Sequence, residues 1–294
     1  MAARSRRSLT SADVTGRVVE KVRVTAPPVL PAAVSIALAP MIDTGPHQAT
    51  VLGVADPAVW IGRAGGVLMV STVEAVRLPN SAVVAVPASD RPFRAIRPGD
   101  DVTVGGGAIA FASLRVEAAR WFDPLPAIPL ADAGAVTRVV ASLDAVVPSM
   151  PDHGLEEALS TDDDLAAVEA AKLLIGSGDG LTPRGDDLIA GMISATMLMA
   201  RSLGVASAGA MARRLERPFL DHAATATTSL SASLLGHAFR GEVAEPAAAL
   251  LLALAGRGDA IEAAEALNEV GHSSGPALTA GVLAGAKAVI ERSS

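Results

Sequence analysis

The spacing of apolar and polar residues divides this chain into a first part rich in strands and a second part rich in helices. Residues 16–25 alternate apolar and charged side chains, which is the period-two pattern of a half-buried strand. Short runs of β-branched residues follow, and Gly-Gly, Pro-Asn and Arg-Pro-Gly-Asp turn signals separate them. These runs predict further strands at residues 48–54, 66–71, 81–86, 101–104 and 108–116.

The second part follows a proline-rich segment at residues 121–129 and has the periodicity of helices. Thr161 and the three aspartates after it predict an N-cap for a helix at residues 165–175. Further helices are predicted at residues 183–203, 207–221, 225–240, 246–254, 259–270 and 276–292. The expected fold class is α+β, with a β-rich domain at residues 1–125 and an all-helical domain at residues 126–294.

Composition and charge remove several classes of function. The formal charge of -7 argues against a nucleic-acid partner, because neutralising phosphates requires clustered Lys and Arg. The absence of Cys excludes disulfides, thiolate metal sites and Cys nucleophiles. The apolar run at residues 24–42 contains four prolines, so a membrane helix is not expected there. We expect a cytoplasmic protein with neither a nucleic-acid nor a membrane partner.

The strongest chemical signal is a glycine-rich loop, GSGDGLTPRGDD, at residues 176–187 between two predicted helices. Glycines at alternate positions allow a ligand to approach the main chain closely. Thr182 and Pro183 predict a helix start, with a hydroxyl N-cap and Pro at the first helical position. A helix N-terminus after such a loop attracts anions. The expected substrate-binding residues here are Gly176, Gly178, Gly180, Thr182, Arg184 and Gly185.

Asp186 and Asp187 follow about one turn into the predicted helix, and we expect both to be catalytic. Two adjacent carboxylates beside an anion site suit a divalent cation that bridges them to a phosphate, with Mg²⁺ as the candidate metal. One of them acting as a base is the alternative. The helix dipole by itself also favours Asp in a first turn, so a simple helix connection stays open as a third interpretation.

Two further clusters carry hydroxyl and imidazole groups. In GHSSGP, at residues 271–276, His272 is a candidate for proton transfer, while Ser274 and Gly275 are candidates for substrate binding. The alternative is an ordinary capped helix with a surface histidine. In TATTSLSAS, the residues Thr227, Thr228 and Ser231 are expected to share one helical face and line a pocket, or else only to cap the helix.

Familiar nucleotide and hydrolase motifs are absent, and the glycine-rich loop follows a helix rather than a strand. The string GSGDGLTPRGDDLIAG resembles the signature G-x-G-x-G-L-T-P-x-G-D-D-x-x-x-G of the family that contains the small subunit of oxamate carbamoyltransferase. This family was formerly catalogued as a domain of unknown function. The TT-x-x-S and GH-x-SG elements follow in the same order, and the β-rich first half is similar in layout, so the resemblance extends over most of the chain.

The resemblance implies a subunit that works with other subunits in ureide or purine-nitrogen breakdown, such as allantoin catabolism. The implied reaction moves a carbamoyl group between oxalurate and phosphate, giving oxamate and carbamoyl phosphate. The ligand would be a small anion, either carbamoyl phosphate or an oxamate-like acid. The S-x-R-T element of ordinary transcarbamylases is absent, so their mechanism is not transferred. A stand-alone metal- and phosphate-dependent enzyme and a non-catalytic assembly subunit stay open as alternatives.

Overall fold

The computed structural model describes residues 26–63, 65–143 and 145–293. The strand predicted at residues 16–25 lies outside these ranges. The first described part contains eight strands and a short helix, α1 (Ala39–Ile42). The strands are β1 (Val29–Ser35), β2 (His47–Ala55), β3 (Ala58–Arg63), β4 (Gly66–Ser71), β5 (Ser81–Val84), β6 (Asp101–Gly105), β7 (Ala108–Ala110) and β8 (Arg115–Phe122).

These strands form a closed barrel in the order β1-β5-β4-β3-β2-β6-β7-β8. The first and last strands pair in parallel, as do β4 and β5, and the other neighbours are antiparallel. The predicted α+β class is therefore wrong, since its β-rich domain is a closed barrel. Alternating apolar and polar residues look the same in an open and in a closed sheet, so the periodicity did not reveal the closure. The division into domains at residues 1–125 and 126–294 stays a prediction.

Individual strands also differ from the prediction. The sequence did not indicate β1, which lies within the proline-rich apolar run, because Pro is usually excluded from paired strands. Pro31 takes part through its carbonyl, which accepts the N–H of Ala85 at 3.4 Å. The sequence also did not indicate β3, whose burial pattern does not alternate. The single strand predicted at residues 108–116 is divided between β7 and β8.

Helices make up the second part, as the sequence indicated. They are α2 (Ala133–Leu143), α3 (Leu155–Thr161), α4 (Asp164–Leu174), α5 (Arg184–Leu203), α6 (Ala206–Ala226), α7 (Ser229–Phe239), α8 (Glu245–Leu254), α9 (Ala260–Asn268) and α10 (Ser274–Glu291). The N-cap of α4 is Asp163, whose side chain accepts the N–H of Ala166 at 3.0 Å. The N-cap prediction for Thr161 is wrong, because this residue ends α3. Among the described helices, none has the length and apolar character needed to cross a membrane.

The helical part is built around α5, most of whose residues are buried, and α10 packs along it. Gly191 of α5 and Gly281 of α10 let the two backbones approach closely. A Cβ atom at Gly281 would overlap the carbonyl oxygen of Leu188, and one at Gly191 would overlap that of Leu278. The close contact fixes the position of α5, which begins at the glycine-rich loop.

We expect Gly281→Ala to destabilise the protein by about 1–3 kcal/mol, because the added methyl group forces two packed helices apart. Urea unfolding measures the effect. Gly209→Ala is the matched control, since a Cβ atom at this helical glycine meets nothing closer than 3.5 Å. The better helix propensity of Ala makes that variant neutral or slightly more stable. Equal stability of both variants would contradict the inferred close packing of α5 against α10.

The barrel and the helical part contact each other through β4 and α7. The Ser233 hydroxyl of α7 accepts the N–H of Val67 at 3.3 Å. Arg77, in the segment between β4 and β5, forms an ion pair with Glu245 of α8 at 3.4 Å. A cavity lies beside this contact, between the barrel and the start of α5. The fold therefore places the glycine-rich loop next to the junction of its two parts.

Candidate functional site

The glycine-rich loop connects the end of α4 at Leu174 to the start of α5 at Arg184. Gly176, Gly178 and Gly180 have φ angles of 78°, 109° and 102°, a region that disfavours other residues. At Gly176 a side chain would also overlap the carbonyl oxygen of Ala226. The main chain of the loop therefore has a shape that requires its glycines.

The start of α5 differs from the prediction in one respect. Pro183, rather than Thr182, occupies the N-cap position, and no side chain caps the helix. The Thr182 hydroxyl instead forms a hydrogen bond of 3.0 Å with that of Ser274 at the start of α10. The N-cap prediction for Thr182 is therefore wrong, but the residue joins the loop to the second predicted cluster.

Asp186 holds the start of the loop in place. It is only 2% exposed, and its Oδ1 atom accepts the N–H of Gly176 at 2.8 Å. Its Oδ2 atom accepts a short hydrogen bond from the hydroxyl of Thr227. Both carboxylate oxygens thus have partners inside the protein. This arrangement gives Asp186 a positioning role for the loop.

The third predicted cluster lies at the junction of α6 and α7. Thr227 follows α6, and Thr228 is the N-cap of α7, where its hydroxyl accepts the N–H of Ser231 at 3.1 Å. The expectation that the three residues share one helical face is wrong, because two of them lie between helices. The Thr228 hydroxyl also donates to the carbonyl of Leu181 at 2.6 Å. All three sequence clusters therefore meet through hydrogen bonds at the glycine-rich loop.

Asp187 lies on the inner side of the loop and lines the cavity between the barrel and the helices. It is 6% exposed, and its Oδ2 atom has no hydrogen-bond partner in the described part of the chain. Burial raises the pKa of this carboxyl to about 7, while hydrogen bonding by Ser274 and Thr182 acts in the opposite direction. The negative charge of Asp186 raises it further. Asp187 is thus able to exchange a proton near neutral pH.

A second cavity, of about 180 Å³, lies on the outer side of the loop. Arg184, Ser177 and Gly185 line it, together with His153. Arg184 is exposed, and the N–H of Gly185 donates to the carbonyl of Ser177 at 2.9 Å. The loop therefore separates an outer side that carries a cation from an inner side that carries a buried carboxyl.

No contact among the described residues supports the predicted catalytic role of His272. This residue is exposed, and no described residue forms a hydrogen bond with it. Its neighbours Gly271 and Ser274 line the inner cavity. Gly275 packs so closely on the carbonyl of Leu267 that no side chain fits there. His272 stays a prediction as a catalytic residue, while Ser274 is placed beside Asp187.

Sequence reasoning missed a half-buried carboxylate that borders the inner cavity. Glu242, which follows α7, accepts from Arg240 Nε at 2.9 Å, and its Oε2 atom lies 2.6 Å from His237 Nδ1. Burial by itself would raise the pKa of Glu242, but His237 and Arg240 together lower it. Trp60, on β3, also lines this cavity and was missed. Trp60 lies far from these helical residues in the chain, so no local pattern links them.

The predicted metal site has few ligands within reach. Residues 26–63, 65–143 and 145–293 contain no group of three or more His, Cys, Asp or Glu side chains placed to hold a metal. Asp186 uses both oxygens for hydrogen bonds, and Asp187 faces the inner cavity. Mg²⁺ at these two residues stays a prediction.

The fold and the site define a barrel-and-helix protein whose glycine-rich loop is held by a buried carboxylate. Residues 174–286 match the model of the family described as oxamate carbamoyltransferase subunit AllH. This match confirms the family resemblance over residues 174–286, which include the loop and both clusters that bond to it. No curated protein and no solved structure gives a match.

Proposed function

We propose that this chain is a subunit of an oxamate-type carbamoyltransferase complex and that its glycine-rich loop binds the anionic end of a substrate. The family match over residues 174–286 supports the first statement. The second rests on one observation, which is that three hydrogen bonds hold the loop in place. They join Asp186 to Thr227, Leu181 to Thr228, and Thr182 to Ser274. A plain helix connection needs no buried carboxylate to hold it, since burying a charge is unfavourable.

The charges on the two sides of the glycine-rich loop favour binding of the anion on the outer side. Arg184 provides a positive charge at the N-terminal end of α5, where the helix dipole also attracts negative groups. The inner cavity is lined by Asp187 and Glu242, and no Lys or Arg is among the described residues that line it. A phosphate or carboxylate is therefore assigned to the outer cavity, beside Arg184 and Ser177.

In the implied reaction, the bond between the carbamoyl carbon and the oxamate nitrogen of oxalurate breaks, and a bond from that carbon to a phosphate oxygen forms. The leaving nitrogen takes up the proton that hydrogen phosphate gives up, so the step balances. Arg184 and the N-terminus of α5 stabilise the negative charge of the phosphate or of the substrate carboxylate. Asp186 positions the loop that carries these groups.

We expect Arg184→Gln to weaken carbamoyl phosphate binding by about tenfold or more, because a charge-assisted hydrogen bond is lost. Calorimetric titration of the purified chain, and of the complex assembled with its partner subunits, measures the change. Arg201→Gln is the matched control, since it removes an exposed arginine from the last turn of the same helix. Unchanged binding by Arg184→Gln, or no binding by either wild-type preparation, would contradict the anion site.

A non-catalytic assembly role is the second candidate, and one observation favours it. Leu165 and Leu173 of α4 and Leu181 of the loop are 82%, 62% and 57% exposed. Leu165 lies near the start of α4, while Leu173 and Leu181 flank the glycines of the loop, where exposed leucines would pack against a partner subunit. In that case the loop would hold a partner rather than a substrate, and turnover in the assembled complex would not depend on its carboxylates.

A further inference from the structure

The cavity on the inner side of the loop is larger and more apolar than a small anion requires. It has a volume of about 440 Å³, which lies in the range of small-molecule sites. Its lining comes from both parts of the fold, with Trp60 and Met69 from the barrel and Leu230, Leu234 and Leu278 from the helices. Because protein interiors are normally close-packed, a space of this size between two packed parts indicates room for a ligand.

Two residues that line this cavity each carry a buried polar atom with no hydrogen-bond partner within the described ranges. One is Oδ2 of Asp187, an acceptor on the helical wall, and the other is the indole N–H of Trp60, a donor on the barrel wall. Buried polar groups are almost always hydrogen-bonded in folded proteins. A ligand that supplies one donor and one acceptor satisfies both atoms.

The charges around the cavity restrict that ligand further. Glu242 also lines it, but His237 and Arg240 already bond to this carboxylate, so Asp187 is the acidic group left without a cation. An anionic ligand is repelled by Asp187. A cationic amine would have to lose its hydration in an apolar space, and one buried ion pair with Asp187 barely offsets that cost. The amine also has no acceptor for the indole N–H of Trp60. An uncharged amide group avoids both problems.

We propose that this cavity binds an uncharged ligand with an apolar body and a primary amide or carbamoyl end. The amide N–H₂ donates to Asp187, and an acceptor oxygen of the ligand faces the indole N–H of Trp60. The apolar body fills the space between the barrel and α7. The proposal does not depend on the anion site at Arg184, which lies on the other side of the loop.

Hexanamide is the probe, with hexanoate and hexylamine as charged analogues of the same size. The chain contains two tryptophans, and Trp121 does not line the cavity, so Trp121→Phe leaves Trp60 as the fluorescent reporter. At about pH 8, where Asp187 is ionised, we expect hexanamide to bind about tenfold or more tightly than either analogue. Asp187→Asn should weaken hexanamide binding and bring the affinities of hexanamide and hexanoate to within about threefold of one another, because the repulsion of hexanoate is removed. The exposed Asp179→Asn should leave all affinities unchanged.

A second variant keeps the test valid if Asp187→Asn does not fold. Ala75 lies in the segment between β4 and β5 and lines the cavity, so Ala75→Phe fills it from outside the regular elements and should abolish hexanamide binding. The proposal is overturned if hexanoate or hexylamine binds as tightly as hexanamide, or if hexanamide does not bind. Binding that survives both Asp187→Asn and Ala75→Phe would also overturn it. None of these outcomes bears on carbamoyl phosphate binding at Arg184.

Discussion

Replacing Asp187 with Asn is expected to stabilise the protein above pH 7 and to remove much of the change in its stability between about pH 4 and pH 7. The pKa of Asp187 is raised from 3.8 to about 7 by burial. The unfolded chain therefore loses this proton near pH 4, and the folded protein loses it near pH 7. Between these values the folded state binds more protons, so its stability falls as the pH rises. At about 1.36 kcal/mol per pKa unit, the free energy of unfolding of the wild-type protein falls by about 4 kcal/mol between about pH 4 and pH 8.

Urea unfolding at about pH 5 and about pH 8 measures this difference. The difference in free energy of unfolding between Asp187→Asn and wild type should shift by about 2–4 kcal/mol in favour of the variant from pH 5 to pH 8, because Asn cannot ionise. Asp179→Asn makes the same substitution at an exposed position of the same loop and should follow the wild type. A wild type and an Asp187→Asn variant with parallel pH dependence would show that Asp187 does not titrate in an apolar environment.

Asp186→Asn is expected to lower carbamoyl transfer by the assembled complex about a hundredfold or more while the chain stays folded. The carboxylate accepts from both the N–H of Gly176 and the hydroxyl of Thr227. An amide can accept from only one of them, although the hydroxyl can turn and accept from the amide in its place. The fold therefore survives, but the loop loses a charge-assisted hydrogen bond that fixes its position. A displacement of about 1 Å in a reacting group is enough for a hundredfold loss of rate.

The rate per assembled complex, with the complex quantified by size-exclusion chromatography, checks this expectation. The matched control is again Asp179→Asn, which is exposed in the same loop and makes none of these hydrogen bonds. Near-wild-type turnover by Asp186→Asn would contradict the role of the loop. If, in addition, less complex formed, the assembly role described above would be the better explanation.

Local signals in the sequence were enough to locate the loop and most of the helices around it. Alternate glycines indicated the unusual main chain, and Gly176, Gly178 and Gly180 do have positive φ angles. The predicted helix at residues 183–203 differs from α5 by one residue at its start. These features depend on residues that are close in the chain, which is why pattern reasoning finds them.

Features that depend on distant parts of the chain were not accessible in this way. The barrel closes through pairing of β1 with β8, and no local pattern records that contact. Asp186 and Asp187 are adjacent and looked equivalent, yet the first is used to hold the loop and the second faces an apolar cavity. The difference arises because successive residues on a helix point in different directions, and only the tertiary packing decides what each one meets.

Phosphate-dependent cleavage of oxalurate by the purified complex, assembled with and without this chain, tests the central claim most directly. We predict that the partner subunits alone give only background rates, that adding this chain restores the formation of oxamate and carbamoyl phosphate, and that Asp186→Asn fails to restore it. Equal rates with and without the chain would contradict its assignment as a working subunit of the carbamoyltransferase.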